Sequence, residues 1–416
     1  MKLGKYSLGT GDRFGKQGIA QLQAVMEAKK QGVDISIIWN KSYREHTIIH
    51  TDPASVRTEA DSAVQETGWT GEYYVDADHI NIESVDLFIE TSDFFTLDVA
   101  DYTGIPASPA DIDKFIAKYL PLCGVLTIPG IELPLEITEK KIRHAAERYL
   151  LAVQKAGEIY RKIEAAKGID NFITEVSMDE TDIPQTPEEL LFILAAISDE
   201  GIPAQTIAPK FTGRFNKGVD YIGDLEKFEE DFNADLCVIA FAVDHFDLPD
   251  NLKLSIHSGS DKFSIYPIMG EAIRKYDAGL HVKTAGTTWL EEIIGLAESG
   301  SEGISLAKEI YRKSLNRYEE LTGPYASVID IDKNSLPAPE KFDLWTGEMI
   351  TEAVRHDLNN PAYNLHIRQL LHVGYKVAAE MGTRYLDALK KHQEVVGKNV
   401  TENLWERHIK RIFFSN

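Results

Sequence analysis

Three histidines and two carboxylates carry most of the chemistry that can be read from this chain. Glu72 to Ile80 reads Glu-Tyr-Tyr-Val-Asp-Ala-Asp-His-Ile, a strand-forming run that ends in residues a strand interior does not favour. An aspartate directly before a histidine at a strand's carboxyl end places a proton-transfer group, Asp78, beside a metal ligand, His79. His257 and His281 fall in further strand-like segments. Neutral imidazoles from three strands can converge on one divalent cation and leave positions open for substrate oxygens. Glu175 ends another such segment, where it would complete the coordination or serve as a second proton carrier. The plainer alternative for Glu175 is a salt bridge to Lys210 on the next strand.

The loop Ser258-Gly259-Ser260-Asp261-Lys262 offers backbone N–H groups and hydroxyls able to hold an anion or a polyol. Lys210, Arg214 and Lys262 add positive charge, which suggests an anionic substrate beside the metal. Lys210 could instead form a Schiff base, since a lysine at a barrel strand end is a known nucleophile position. Most other histidines have structural readings. His144, His392 and His408 lie on charged helical faces and are expected to be solvent-exposed, His46 and His50 sit in a loop that could reach substrate, and His245 lies in an irregular apolar segment. His366 and His372 fall on a helix, where an inward histidine is more often a hydrogen-bonded core residue.

These groups need a scaffold that brings strand ends together. Strands are expected at Tyr6–Thr10, Asp34–Trp39, Glu72–Ile80, Leu97–Ala100, Asn171–Glu175, Gln205–Lys210, Lys253–His257 and Leu280–Lys283, alternating with helices. The Pro187–Ser198 helix begins at Thr186-Pro187-Glu188-Glu189, a capping signature. Such alternation predicts an α/β fold, a (β/α)8 TIM-type barrel whose strand-end residues share one face. The barrel is expected over residues 1–290 with a helical insertion around 105–168. A helical extension is expected over 291–416, with one short strand at Ser327–Ile331. Gly9-Thr10-Gly11 followed by Gly15 departs from dinucleotide-loop spacing.

The chain has 416 residues, 43% hydrophobic and 26% charged, with a formal net charge of -22. That charge argues against a nucleic-acid or anionic-membrane partner, while local cations can still receive a small anion. Two cysteines, Cys123 and Cys237, without a long apolar run near Met1, lead to the expectation of a cytoplasmic protein with no signal peptide. A homo-oligomer is left open.

Asp78-His79 together with Leu254-Ser255-Ile256-His257-Ser258-Gly259-Ser260 resembles the metal-dependent class II aldolases. In that family an Asp-His pair supplies the acid/base carboxylate and one metal ligand. More fully, the chain resembles the tagaturonate/fructuronate epimerases of bacterial hexuronate catabolism. The resemblance rests on Gly9-Thr10-Gly11-Asp12-Arg13-Phe14-Gly15, Tyr74 to His79, Lys210 to Phe215, Ile256 to Lys262, His281 to Thr284 and Leu371-His372-Val373-Gly374-Tyr375. It implies a divalent metal (zinc, manganese, nickel or iron) held by His79, His257 and His281, and a keto-uronate substrate. It also implies Asp78 as base, Asp76 as an orienting group, Glu175 as proton donor, and Lys210 or Arg214 on the carboxylate. The runner-up is a class II sugar or sugar-acid aldolase.

Overall fold

The computed structural model describes residues 1–284 and 286–414. Ala285 and the last two residues of the expected 291–416 extension lie outside the described residues. Among the described residues ten strands occur in chain order: β1 (Tyr6–Gly11), β2 (Ser36–Ser42), β3 (Tyr73–Ile80), β4 (Phe94–Asp98), β5 (Gly124–Leu126), β6 (Leu135–Ile137), β7 (Ile173–Ser177), β8 (Thr206–Ala208), β9 (Lys253–His257) and β10 (Leu280–Lys283). Eight close a parallel barrel in the order β1-β10-β9-β8-β7-β4-β3-β2, while β5 and β6 form a separate antiparallel pair. The chain is therefore a (β/α)8 barrel. The fourth barrel strand starts three residues earlier than expected. The strand expected at Ser327–Ile331 is absent, because backbone groups there pair with a loop and a helix side chain: Lys217 N donates to Val328 O, and Asp330 N to Gln369 Oε1.

Strand alternation sorts the barrel interior into layers. Leu3, Ile38, Tyr74, Phe94 and Ile173 form an apolar plug at the amino-terminal end. Two residues further along the same faces come Asp76, Thr96 and Glu175, all buried. Two further again, at the strand carboxyl ends, come Asp78 and Asp98. Polarity thus rises along the barrel axis toward one mouth, where the plug ends and a cavity begins.

Outside the barrel, helices cover the strands with one continuous apolar layer. The expected insertion holds the helix Pro109–Tyr119, the β5–β6 hairpin and the 29-residue helix Glu139–Lys167. Thr138 caps that long helix, and its inner face buries Ile142, Tyr149, Val153 and Ile163. The helix Thr287–Glu298 runs through the expected 290/291 division, and its inward residues belong to a second apolar core that reaches Val396. The final helices then return to the first core through Leu404, Ile409 and Ile412. The C-terminal helices therefore do two things. Residues 393–413 pack on the barrel's flank, and Leu365–Val373 lies across its mouth. Among the described residues no helix is long and apolar enough to cross a membrane.

Candidate active site

A cavity of about 820 Å³ opens at the carboxyl ends of the strands, with Asp78, His79, Asp98, Asp179, His257 and Lys283 in its wall. The arrival of both Asp78 and His79 there needs explanation, because successive strand residues face opposite ways. The β3–β4 register supplies it: Ala77 pairs with Phe95 and Ile80 with Leu97, so β3 carries one extra residue. This bulge sits at His79, whose φ of 51° lies outside the range of a regular strand. A left-handed backbone at a histidine is uncommon and is held by its surroundings. Bulges re-aim side chains beside active sites, and this one turns His79 into the same cavity as Asp78.

His79, Asp179 and His257 each bring one ligand atom within 4.8 Å of the others. The distal nitrogens are already assigned. His79 Nδ1 lies 3.2 Å from Asp98 Oδ2, and His257 Nε2 lies 2.8 Å from Glu175 Oε1. A carboxylate behind each imidazole fixes ring orientation and is the usual companion of a metal-binding histidine. His257 Nδ1, in contrast, is buried, makes no hydrogen bond, and lies 3.2 Å from Asp179 Oδ2. Two imidazoles and one carboxylate, with an orphaned nitrogen between them, fit a divalent cation with open positions; the donors suit zinc, manganese, nickel or iron.

Burial alone would depress both imidazoles, but Asp78 and Asp98 hold His79 well above the usual range, and Asp179 and Glu175 raise His257 to about 9. The surroundings thus favour positive charge at this point, and a bound cation would meet that demand while displacing both protons.

Beneath lies a second charged group. The Lys283 ammonium is 2.8 Å from Asp76 Oδ2, 2.8 Å from Asp78 Oδ1, 2.7 Å from Thr96 Oγ1 and 3.4 Å from Glu175 Oε1. Burial opposes its charge, yet Asp76, Asp78 and Glu175 outweigh that and hold it well above the usual lysine range. The carboxylates respond unequally. Burial pushes all three up; Lys283 and the imidazoles then bring Asp78 below and Glu175 well below the usual values. Asp76, which Lys283 relieves only partly, stays up at about 6. Asp78 is the ionised carboxylate of the three that faces the cavity.

Other expected site residues are placed differently. His281 is fully buried one layer deeper; it contacts Ser7 Oγ at 3.0 Å and packs on Phe94, and burial lowers it to about 3. It is not among the three clustered ligands, and Lys283, two residues later on the same face, occupies the place at the cavity floor. Glu175 does not line the cavity; it holds His257. Its expected partner Lys210 lies in an adjoining recess, its N–H donating to Gln185. Arg214 is half exposed and lies 3.6 Å from Asp330. In the 258–262 loop only Gly259 lines the cavity, at φ 64°. Ser258 donates to the Lys283 carbonyl and Ser260 accepts from Gly218 N. Lys262 is buried against Asn216 O and Ser260 Oγ. Asp261 pairs with Arg368 at 2.6 Å and His356 at 3.2 Å, with His408 also 3.3 Å away. These buried contacts bolt the loop to the C-terminal helices.

Residues not anticipated for the site are Lys283, Asp179, Asp98 and Lys217. Strand alternation from His281 is a signal that reaches Lys283, and Asp179 stands two residues beyond the end of β7.

The family model described as tagaturonate epimerase (UxaE) matches residues 1–412. A tagaturonate/fructuronate epimerase from Thermotoga maritima is 29% identical, with 97% of this chain and 80% of that protein covered. Crystal structures of a fructuronate-tagaturonate epimerase from Cohnella laeviribosi share the fold. The native form has a TM-score of 0.79 at 23% identity, covering 99% of this chain and 82% of that one. The form with two glycerol molecules has a TM-score of 0.82 at 23% identity, covering 100% and 83%. With the family model spanning nearly the whole chain, this protein belongs to the tagaturonate epimerase family.

Proposed function

We propose that this chain interconverts D-tagaturonate and D-fructuronate by breaking and re-forming a carbon–carbon bond. The carbon that inverts lies one bond beyond the carbon adjacent to the ketone. Its C–H is not acidified by the carbonyl, so enolisation cannot invert it. Its hydroxyl, however, stands in the aldol relation to the ketone. Asp78, kept ionised by Lys283, takes the hydroxyl proton. The bond to the carbon next to the ketone then breaks, leaving an aldehyde and an enediolate. The aldehyde turns its other face, the bond re-forms, and the proton returns to the new alkoxide.

A divalent cation held by His79, Asp179 and His257 would polarise the ketone and favour negative charge on its oxygen. Asp179 takes the ligand place first expected of His281. Glu175 and Asp98 orient the two imidazoles, and Asp76 with Thr96 orients Lys283. The observation that carries this reading is the β3 bulge, which brings an ionised carboxylate and an adjacent imidazole into one cavity.

The test is to assay interconversion before and after a chelator, and then with single metals restored. Activity should fall to background on metal removal and return with at least one of zinc, manganese, nickel or iron. Full activity in verified metal-free protein would overturn the role given to the cation.

A further inference from the structure

The cavity has two chemically different ends. Around His79 and His257 the neighbours are carboxylates. Around His372, which reaches the cavity from the helix Leu365–Val373, they are cations. Burial and then the charges of Arg13, Lys217, Arg368 and Lys262 hold the His372 imidazole well below the usual range, so it is neutral. In a chain of net charge -22, such a group of cations is a local construction.

Two of those cations line the cavity and are short of partners. Arg13, in the loop after β1, is only 8% exposed. Its Nε donates to Glu45 Oε1 at 2.9 Å, and its guanidinium lies 4.1 Å from the Tyr375 ring centroid. Glu45 is itself fixed by its reciprocal capping bonds with Ser42. Arg13 Nη1 is nevertheless buried without a hydrogen bond. A guanidinium clamped through Nε and stacked on a ring keeps its forked edge for another planar anion.

Lys217 makes no ion pair among the described residues. Its backbone is pinned, because its N–H donates to Val328 O and its carbonyl accepts from Gln369 Nε2. The next carbonyl, of Gly218, accepts from Arg368 Nε at 2.5 Å. The helix that carries His372 therefore also sets Lys217. His372 Nε2 is likewise buried and unpartnered, and a Cβ on Gly286 would lie 2.2 Å from it, so only glycine leaves this imidazole its place.

We propose that Arg13 and Lys217, beside His372, form the subsite for the substrate's carboxylate and select keto-uronates over neutral ketohexoses. The assignment of the carboxylate to a uronate rests on the epimerase reading above; the anion subsite stands on the unpartnered groups themselves. An ionic hydrogen bond in a buried site commonly decides one to two orders of magnitude in affinity. Both Arg13 and Lys217 come from loops that follow barrel strands, the usual source of substrate contacts in this architecture.

Calorimetric titration of the full chain with D-gluconate and with sorbitol, an acid and a neutral polyol of equal length, reads this subsite without turnover. Wild-type protein should prefer gluconate, and Arg13→Gln or Lys217→Gln should cut that preference by about 10- to 100-fold. The ratio of kcat/KM for the keto-uronate to that for the matching neutral ketohexose should fall in parallel. Arg13→Gln also frees Glu45, so Lys217→Gln, which breaks no ion pair among the described residues, keeps the test decisive if the first variant does not fold. An unchanged gluconate preference in the folded variants overturns the subsite. Loss of that preference in a protein whose wild type does not epimerise keeps the subsite and overturns the epimerase reading instead.

Discussion

Replacing Lys283 by methionine should lower kcat by about a thousandfold or more and destabilise the fold by roughly 3–5 kcal/mol. Lys283 is the counter-ion that the buried carboxylates of Asp76, Asp78 and Glu175 share. Removing one partner of a buried ion cluster leaves uncompensated charge in a poorly polarisable interior, which costs far more than the cluster contributes when intact. The carboxylates would respond by taking up protons. Asp76, already near 6, would do so first, and Asp78 would follow and cease to act as a base. Lys283→Arg should not restore turnover, because a planar fork cannot satisfy three carboxylates and a hydroxyl arranged around one point. Adding Asp76→Asn to Lys283→Met should recover part of the stability and none of the activity. Thermal unfolding and steady-state rates on the same preparations separate the two effects. A Lys283→Met enzyme with near wild-type kcat would remove Lys283 from the mechanism.

Asp78→Asn isolates the proton step. The amide matches the carboxylate in shape but cannot accept the hydroxyl proton, and loss of a positioned general base commonly lowers rate by about 10²–10⁴. Metal content should not change, since Asp78 is not one of the three clustered ligands. The fold should tolerate the change, because Asp76 and Glu175 still compensate Lys283. An Asp78→Asn variant that epimerises at near wild-type rate would show that another group is the base.

The barrel was legible because eight short apolar runs alternate with helical periodicity. The pairing of Asp78 with His79 was legible as composition but not as geometry. By alternation the two should face apart, and only the extra residue in β3 reunites them. That bulge sits at a histidine in a left-handed conformation with no glycine to announce it.

His281 illustrates a different limit. It lies in a strand-end segment like His257, but β10 continues to Lys283, so His281 faces the layer below. One strand repeat separates a cavity-wall position from a core position. The 258–262 loop looked like an anion cradle because its residue types suit one. Its Asp261 instead meets Arg368, His356 and His408, residues about 95 to 150 positions later, which local sequence could not have placed there. His372, on a helix where an inward histidine is usually a core residue, is 3% exposed, yet it also lines the cavity.

The most direct measurement uses substrate carrying deuterium on the inverting carbon. Cleavage and re-formation of the carbon–carbon bond never break that C–H bond. The product should therefore retain the label completely, and the labelled and unlabelled substrates should turn over at nearly equal rates. Loss of deuterium to solvent would mean proton abstraction from carbon, and a several-fold slower rate with the label retained would mean hydride transfer. Either result would contradict the mechanism built on Asp78.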